Sequence, residues 1–223
     1  MTSSDMEYLT IALPKGKLFS PALNLLGKLG ISAPDLDEKS RKLLITNEEK
    51  KLRFIITKTA DLPTYVEYGA ADIGIIGKDV LLEDKKDVYE LLDLKFGLCR
   101  LSVAVPQALK KEKLSDYAHL RVATKYPVIA ESFFHNIGVQ VEIIKLNGSM
   151  ELAPMVNLAE IIVDVVETGR TLKENNLVEI AQIQTATARF IANRVSFKMK
   201  FAQINNIVEN LRTIIENIQE ENQ

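Results

Sequence analysis

Short apolar runs bounded by turn residues alternate along this chain with longer stretches whose apolar positions recur three and four apart, a pattern that predicts strands alternating with helices. Residues 8–13 form the first expected strand, stopped by Pro14. Leu18, Phe19, Ala22, Leu25, Leu26 and Leu29 then lie on one helical face that ends at Gly30. Residues 43–46 and 52–56 flank the polar turn 47–50 and predict an antiparallel hairpin. Asp61 is placed to cap a short helix with Pro63 in its first turn, ending near Gly69. The run 73–76, between Asp72 and Gly77, has the composition of a strand buried on both faces, with a helix following from Lys78. Further strands are expected at 89–92, 101–105, 121–124, 141–145 and 161–166, and helices at 127–137 and 151–158.

Strands that alternate with helices imply α/β layers. No low-complexity linker or internal repeat divides the chain, so two domains have to be joined by strand-like crossings, expected near 93–100 and 178–184. The expected organisation is therefore two α/β lobes around a cleft: residues 1–95 with 180–198, residues 96–179, and a C-terminal helix over 199–223. Phe201, Ile204, Val208, Leu211, Ile215 and Ile218 repeat at steps of three and four on that helix, widened by Ile207 and Ile214. This seam suits packing on its own lobe or contact with another subunit.

Composition narrows the partners. At 223 residues, 47% hydrophobic and 26% charged, the chain has the balance of a globular protein. Its 28 basic and 30 acidic residues leave a net charge of −2, so no global field favours nucleic acid or an anionic membrane, and an anionic ligand needs local clusters. Cys99 is the single cysteine, which excludes an intrachain disulfide and a thiolate-rich metal site. His119 and His135 have no second ligand at metal spacing. Residues 1–7 show neither a basic start nor an apolar leader core, and no run is long enough to span a membrane, so a cytoplasmic location is expected.

The densest candidate chemistry lies at 161–172, where an apolar strand runs into a small polar turn that opens a helix. Backbone N–H groups there favour an anion. Gly169 allows close approach, Thr168 and Thr171 offer hydroxyls and Arg170 a charge. Asp164 and Glu167 are acceptors suited to sugar hydroxyls or a hydrated Mg²⁺. A phosphorylated ribose satisfies both halves, although a plain helix cap has the same ingredients. A second basic loop, Lys15, Gly16 and Lys17, joins the first strand to the first helix without the full spacing of a P-loop.

Taken together, residues 13–19, 61–81, 121–127, 145–154 and the turn extended through Glu174 resemble the ATP phosphoribosyltransferase family in its short form, in the same order and over about 9–198. The resemblance implies two α/β lobes similar to periplasmic binding proteins, Mg²⁺, and a reaction of ATP with 5-phosphoribosyl 1-diphosphate that begins histidine biosynthesis. It implies that Asp164, Glu167, Thr168, Gly169, Arg170 and Thr171, with Glu151, hold the phosphoribosyl donor. Lys15, Gly16, Lys17, Arg100 and Lys125 are then assigned to ATP or diphosphate, and the metal rides on the substrate diphosphate with Asp164 or Glu167 as protein ligand. The implied partner is a regulatory subunit resembling histidyl-tRNA synthetase, with a homodimer also compatible. Two departures stand out: Lys17 replaces an arginine that the family commonly carries, and Asn176 replaces a glycine. Asn tolerates a left-handed helix end, so that turn is expected to persist. Ser149 as a helix N-cap is a competing account of the Glu151 segment. A two-lobed solute receptor or effector sensor, and a transferase acting on another base, are the alternative functions.

Overall fold

In a computed structural model of the chain, residues 8–37 and 40–221 are described. The expectation for residues 1–7 lies outside them. In chain order the first elements are β1 (Leu9–Pro14), α1 (Phe19–Lys28), β2 (Leu44–Asn47), β3 (Leu52–Thr57), α2 (Leu62–Glu67), β4 (Ile73–Gly77), α3 (Lys78–Asp84) and β5 (Val88–Asp93). There follow β6 (Cys99–Pro106), β7 (Arg121–Thr124), α4 (Pro127–Asn136), β8 (Glu142–Lys145), α5 (Leu152–Met155), β9 (Ile161–Val166), α6 (Arg170–Glu174) and β10 (Leu177–Ala186). The last are β11 (Ala188–Asn193), α7 (Arg194–Met199) and α8 (Phe201–Glu221).

These elements form two compact units, Met1–Gly97 with Thr187–Gln223, and Leu98–Ala186. The return crossing thus falls at Ala186 and Thr187, later than expected. The reason is pairing: β10 is bonded to β6 from Leu177 to Ala186, so the whole strand belongs to the second unit. α8 belongs to the first.

The first unit has a six-stranded sheet in the order β2-β3-β1-β4-β11-β5. Every residue of β1 and of β4 is buried, as continuous apolar strands covered on both faces require. One face packs Leu13, Phe54, Ile75 and Phe190 against α1 and α8, where Ile204, Val208, Leu211 and Ile215 enter the core. The middle of the seam is therefore buried within its own unit, while Phe201 at its start stays exposed. The other face packs Ala12, Ile76 and Ile191 against Leu62 and Val66 of α2. That helix lies so near that a Cβ on Gly74 would stand 2.9 Å from Leu62 Cδ2, which is why the strand carries glycine there. A side chain not apparent from sequence closes this unit: Asn193 accepts from the Val195 and Ser196 N–H groups at 2.9 Å, capping α7, and donates to the carbonyls of Val66 and Glu67.

The second unit has a five-stranded sheet in the order β10-β6-β9-β7-β8, with β7, β8 and β9 parallel and β6 and β10 antiparallel to their neighbours. Val103, Val105, Val122, Ile161 and Val163 face Ala130 and Phe134 of α4. Ala104, Ala123, Ile162 and Val166 face Ala153 and Leu172, on α5 and α6. The helix expected at 151–158 is only the single turn of α5, which ends as Asn157 turns left-handed at φ 57°. Asn176 also adopts φ 54°, the conformation anticipated for its replacement of glycine.

At the amino end of β7, Arg121 bonds the Glu160 carboxylate through its side chain, and its backbone N–H donates to the same group at 2.9 Å. The guanidinium holds the Glu160 carboxyl down at about 2, against the opposing effect of burial. Because the folded value lies below the unfolded one, the stabilisation is complete above about pH 4.5 and is lost as pH falls through 2. Glu160→Gln should thus lower stability in urea at pH 7, with the gap from wild type closing by pH 2. An equal gap at both pH values would show that the ion pair contributes nothing.

Candidate active site

The parallel strands β7, β8 and β9 deliver the candidate residues from their carboxyl ends, where α/β sheets bind ligands. Strand alternation places Ala123 and Lys125 of the β7 end on the sheet face that also carries Ile162, Asp164 and Val166 of β9. Ser102 is the register partner of Asp164, and Arg100 that of Val166. Arg100 and Ser102 therefore share this face beside them, and Glu179 of β10 completes the row. Thr124 fixes the β7 end by donating to the Val163 carbonyl at 2.7 Å and accepting from the Tyr126 N–H.

Asp164 sits at the centre of the row. Burial, the largest influence, pushes its carboxyl above the ordinary range. The Val165 N–H, bonded at 2.7 Å, pulls it down, the Glu151 charge raises it, and Lys125 lowers it. Two carboxylates and a lysine thus lie close enough to influence one another. A carboxylate with a raised folded value loses stabilisation as pH rises, so its ionised form is a strain at neutral pH. Asp164→Asn should raise the melting temperature of the ligand-free protein by a few degrees while weakening the binding of a polyhydroxyl phosphate. A lowered melting temperature would contradict the strain.

Above the row, residues 167–169 turn into α6. Gly169 has φ 76°, and Thr168 Oγ1 accepts a long bond, 3.4 Å, from the Arg170 N–H. α6 has only five residues and no side-chain cap on its N2 or N3 amides, so oriented N–H groups rather than a long-helix dipole have to favour an anion. The Arg170 side chain is 83% exposed and pairs with Glu174. Thr171 is exposed as well. Arg100 is held beneath the turn: Nη1 donates to the Glu167 carbonyl at 3.0 Å, while Nε and Nη2 form a fork on the Glu179 carboxylate. The guanidinium keeps Glu179 below the usual carboxylate range, and Ser102 Oγ donates to the same group.

Glu151 precedes α5 as its N-cap residue without a side-chain bond, and Ser149 turns at φ 53°, so the Ser149 cap expected as the competing account does not form. The Lys15–Gly16–Lys17 loop is in the first unit, exposed at the carboxyl end of β1 and anchored by the Lys15 N–H on the Thr57 carbonyl at 2.8 Å. The five basic-loop candidates therefore divide: Lys15, Gly16 and Lys17 in one unit, Arg100 and Lys125 in the other. Glu179 and Ser102 carry no signal in the sequence, since only the pairing of β10 with β6 brings them to the turn. Among the described residues, no three or more His, Cys, Asp or Glu are grouped to hold a metal ion, and no helix is long and apolar enough to cross a membrane.

The family model described as HisG, ATP phosphoribosyltransferase, matches residues 58–213. An ATP phosphoribosyltransferase of Syntrophomonas wolfei is 50% identical over 93% of this chain and 96% of its own length. The solved ATP phosphoribosyl transferase (HisG:HisZ) complex from Thermotoga maritima contains a chain that is 32% identical, with a TM-score of 0.80 over 94% of this chain and 99% of that one. A substrate-binding protein of an amino acid ABC transporter, 14% identical with a TM-score of 0.63 over 96% of this chain and 94% of that one, shares the fold alone. The chain belongs to the ATP phosphoribosyltransferase family.

Proposed function

We propose that this chain transfers the phosphoribosyl group of 5-phosphoribosyl 1-diphosphate to N1 of the adenine of ATP, releasing diphosphate and giving 1-(5-phosphoribosyl)-ATP, the first step of histidine biosynthesis. The observation that carries this reading is the family membership, at about half identity over nearly the full length of a relative, joined to a Gly-Arg-Thr turn that follows the strand carrying the half-buried Asp164. A receptor for an uncharged solute has no need of that turn.

No protein nucleophile is required, because adenine N1 attacks C1 of the ribose as diphosphate departs. The residues have to place two polyanions and answer the charge that moves to the leaving group. Thr168, Gly169, Arg170 and Thr171 take the 5-phosphate through N–H and hydroxyl donors. Asp164, with Glu167 and Glu151, accepts from the ribose hydroxyls, and Lys125 lies beside them to meet diphosphate. Lys15, Gly16 and Lys17 take the triphosphate of ATP; with lysine in place of arginine the loop offers point charges rather than a planar fork.

Mg²⁺ suits this donor set as a companion of the substrate diphosphate: the carboxylates are hard oxygen ligands, and the mutual repulsion of Asp164 and Glu151 is relieved by a dication. Bound there with Asp164 or Glu167 as ligand, it supplies charge neutralisation of the leaving group. The chain acts as the short-form catalytic subunit in the cytoplasm, with a HisZ-type regulatory subunit resembling histidyl-tRNA synthetase; the HisG:HisZ complex of the Thermotoga maritima relative supports this partner.

The test is to incubate the purified chain with ATP, 5-phosphoribosyl 1-diphosphate and Mg²⁺, with and without the HisZ-type subunit, and to follow both products. Formation of 1-(5-phosphoribosyl)-ATP is expected in the complex. Both substrates bound and no product in either case would overturn the assignment.

A further inference from the structure

We propose that Arg100 and Glu179 form a positioning clamp that orients the backbone of the phosphate turn, with Arg100 acting through the Glu167 carbonyl rather than as a phosphate ligand. Arg100 stands opposite Val166, the last residue of β9, so its side chain starts directly beneath the turn that follows. Nη1 reaches the Glu167 carbonyl at 3.0 Å, and Nη2 would be 3.7 Å from a Cβ placed on Gly169. The guanidinium thus lies under both ends of the turn, Glu167 and Gly169.

The consequence follows from peptide geometry. In a trans peptide the C=O of one residue and the N–H of the next point in opposite directions, and none of the described peptides is cis. A Glu167 carbonyl drawn down onto Arg100 therefore turns the Thr168 N–H up and away, toward the side where an anion is to be met. Without the clamp that plane can rotate and present an oxygen to the phosphate.

Glu179 fixes the clamp itself. Its carboxylate receives Nε and Nη2 at 2.8 to 3.0 Å, which sets the guanidinium plane and leaves Nη1 aimed at the carbonyl. Alternation puts Arg100, Ser102 and Ala104 on one face of β6, and Glu179 is the register partner of Ala104 next to a bulge in β10. The small Ala104 leaves the face open for the glutamate side chain to lie along the strand, past Ser102 Oγ at 3.0 Å, to Arg100. Charge compensation by Glu179 also explains why Arg100 does not need an anion above it. A planar fork serves two directions at once, which a lysine ammonium on a flexible stem does not.

The clamp rests on the proposed function for its kinetic consequence, and its structural consequence can be measured without any substrate. In the ligand-free full-length chain, amide ¹⁵N relaxation of Thr168 and Gly169 should change from rigid values, order parameters of about 0.85, to below about 0.6 in Arg100→Lys. Glu179→Gln, which keeps one acceptor, should fall between them. In the complex with the HisZ-type subunit, Arg100→Lys should raise KM for 5-phosphoribosyl 1-diphosphate about tenfold and Glu179→Gln about threefold, with KM for ATP within about twofold of wild type, sizes consistent with loss of one charge-assisted hydrogen bond. Turn amides that remain rigid in both variants would overturn the clamp whatever the activity, and so would equal rises in KM for both substrates. Loosened amides in a chain that proves inactive toward both substrates would uphold the clamp and reject the transferase instead.

Discussion

Gly169→Val is expected to weaken binding of 5-phosphoribosyl 1-diphosphate by about 100-fold, equivalent to about 2.7 kcal/mol. Crowding is not the cause. A Cβ at this position would meet Arg100 Nη2 at 3.7 Å and Val166 Cγ1 at 3.9 Å, both ordinary contacts. The obstacle is the backbone, held at φ 76°, where a β-branched residue is strained by about 1–2 kcal/mol or more. The chain relieves that strain by turning φ negative, which swings the N–H groups of Arg170 and Thr171 out of their present orientation. Gly169→Asn should lose much less, because Asn tolerates the left-handed region. Calorimetric titration with the donor distinguishes the cases, and undiminished binding by Gly169→Val would remove this turn from the site.

The largest loss of stability is expected from Asp72→Ala. Asp72 is 4% exposed, and its Oδ2 accepts from the Thr10 N–H at 2.8 Å and from Lys200 Nζ at 2.7 Å. Lys200 also donates to the Tyr8 carbonyl at 2.6 Å, so this one ammonium ties the segment before α8 to the residues that lead into β1 and β4. Removing the carboxylate strands a largely buried charge and orphans a buried N–H. The expected cost is about 3–5 kcal/mol, a fall of roughly 10 °C in melting temperature. Lys200→Met should cost less, since Asp72 keeps the Thr10 N–H, and Asp72→Ala with Lys200→Met should recover part of the single-variant loss. Thermal and urea unfolding of the three variants test this, and a loss below about 1 kcal/mol for Asp72→Ala would mean that water reaches the pair.

Elements with continuous apolar runs are legible because burial on both faces leaves an unambiguous pattern. β7 and β9 have the bounds expected from sequence, and β4 extends the expected run by one residue. β10 instead reads as a crossing. It mixes Glu179, Gln182 and Gln184 with apolar residues, and two irregularities in its pairing with β6 break the period of two. α7 leaves no local signal because its cap, Asn193, is recognisable only beside the α2 carbonyls that it also binds. The C-terminal seam is visible as a stripe, but whether it faces its own unit or another chain depends on the open face of the first sheet, a property of no single segment.

The candidate site divides in the same way. Local chemistry is enough to propose the turn at 167–171 and the acids beside it, because a glycine, two hydroxyls, an arginine and two carboxylates lie within one strand and the turn that follows it. Which side chain holds that turn is not readable: Arg100 is 67 positions from the carbonyl that it binds and 79 from the carboxylate that orients it. The α/β class, the strands with apolar runs and the family all follow from the order of residues, since they rest on local periodicity and ordered motifs. Folding in three dimensions was needed to establish that Asp164, Lys125 and Glu151 share one environment, that Arg100 lies under the turn and that α8 closes its own unit. Those facts arise from strand pairing and burial, which depend on residues far apart in the chain and leave no local pattern to read.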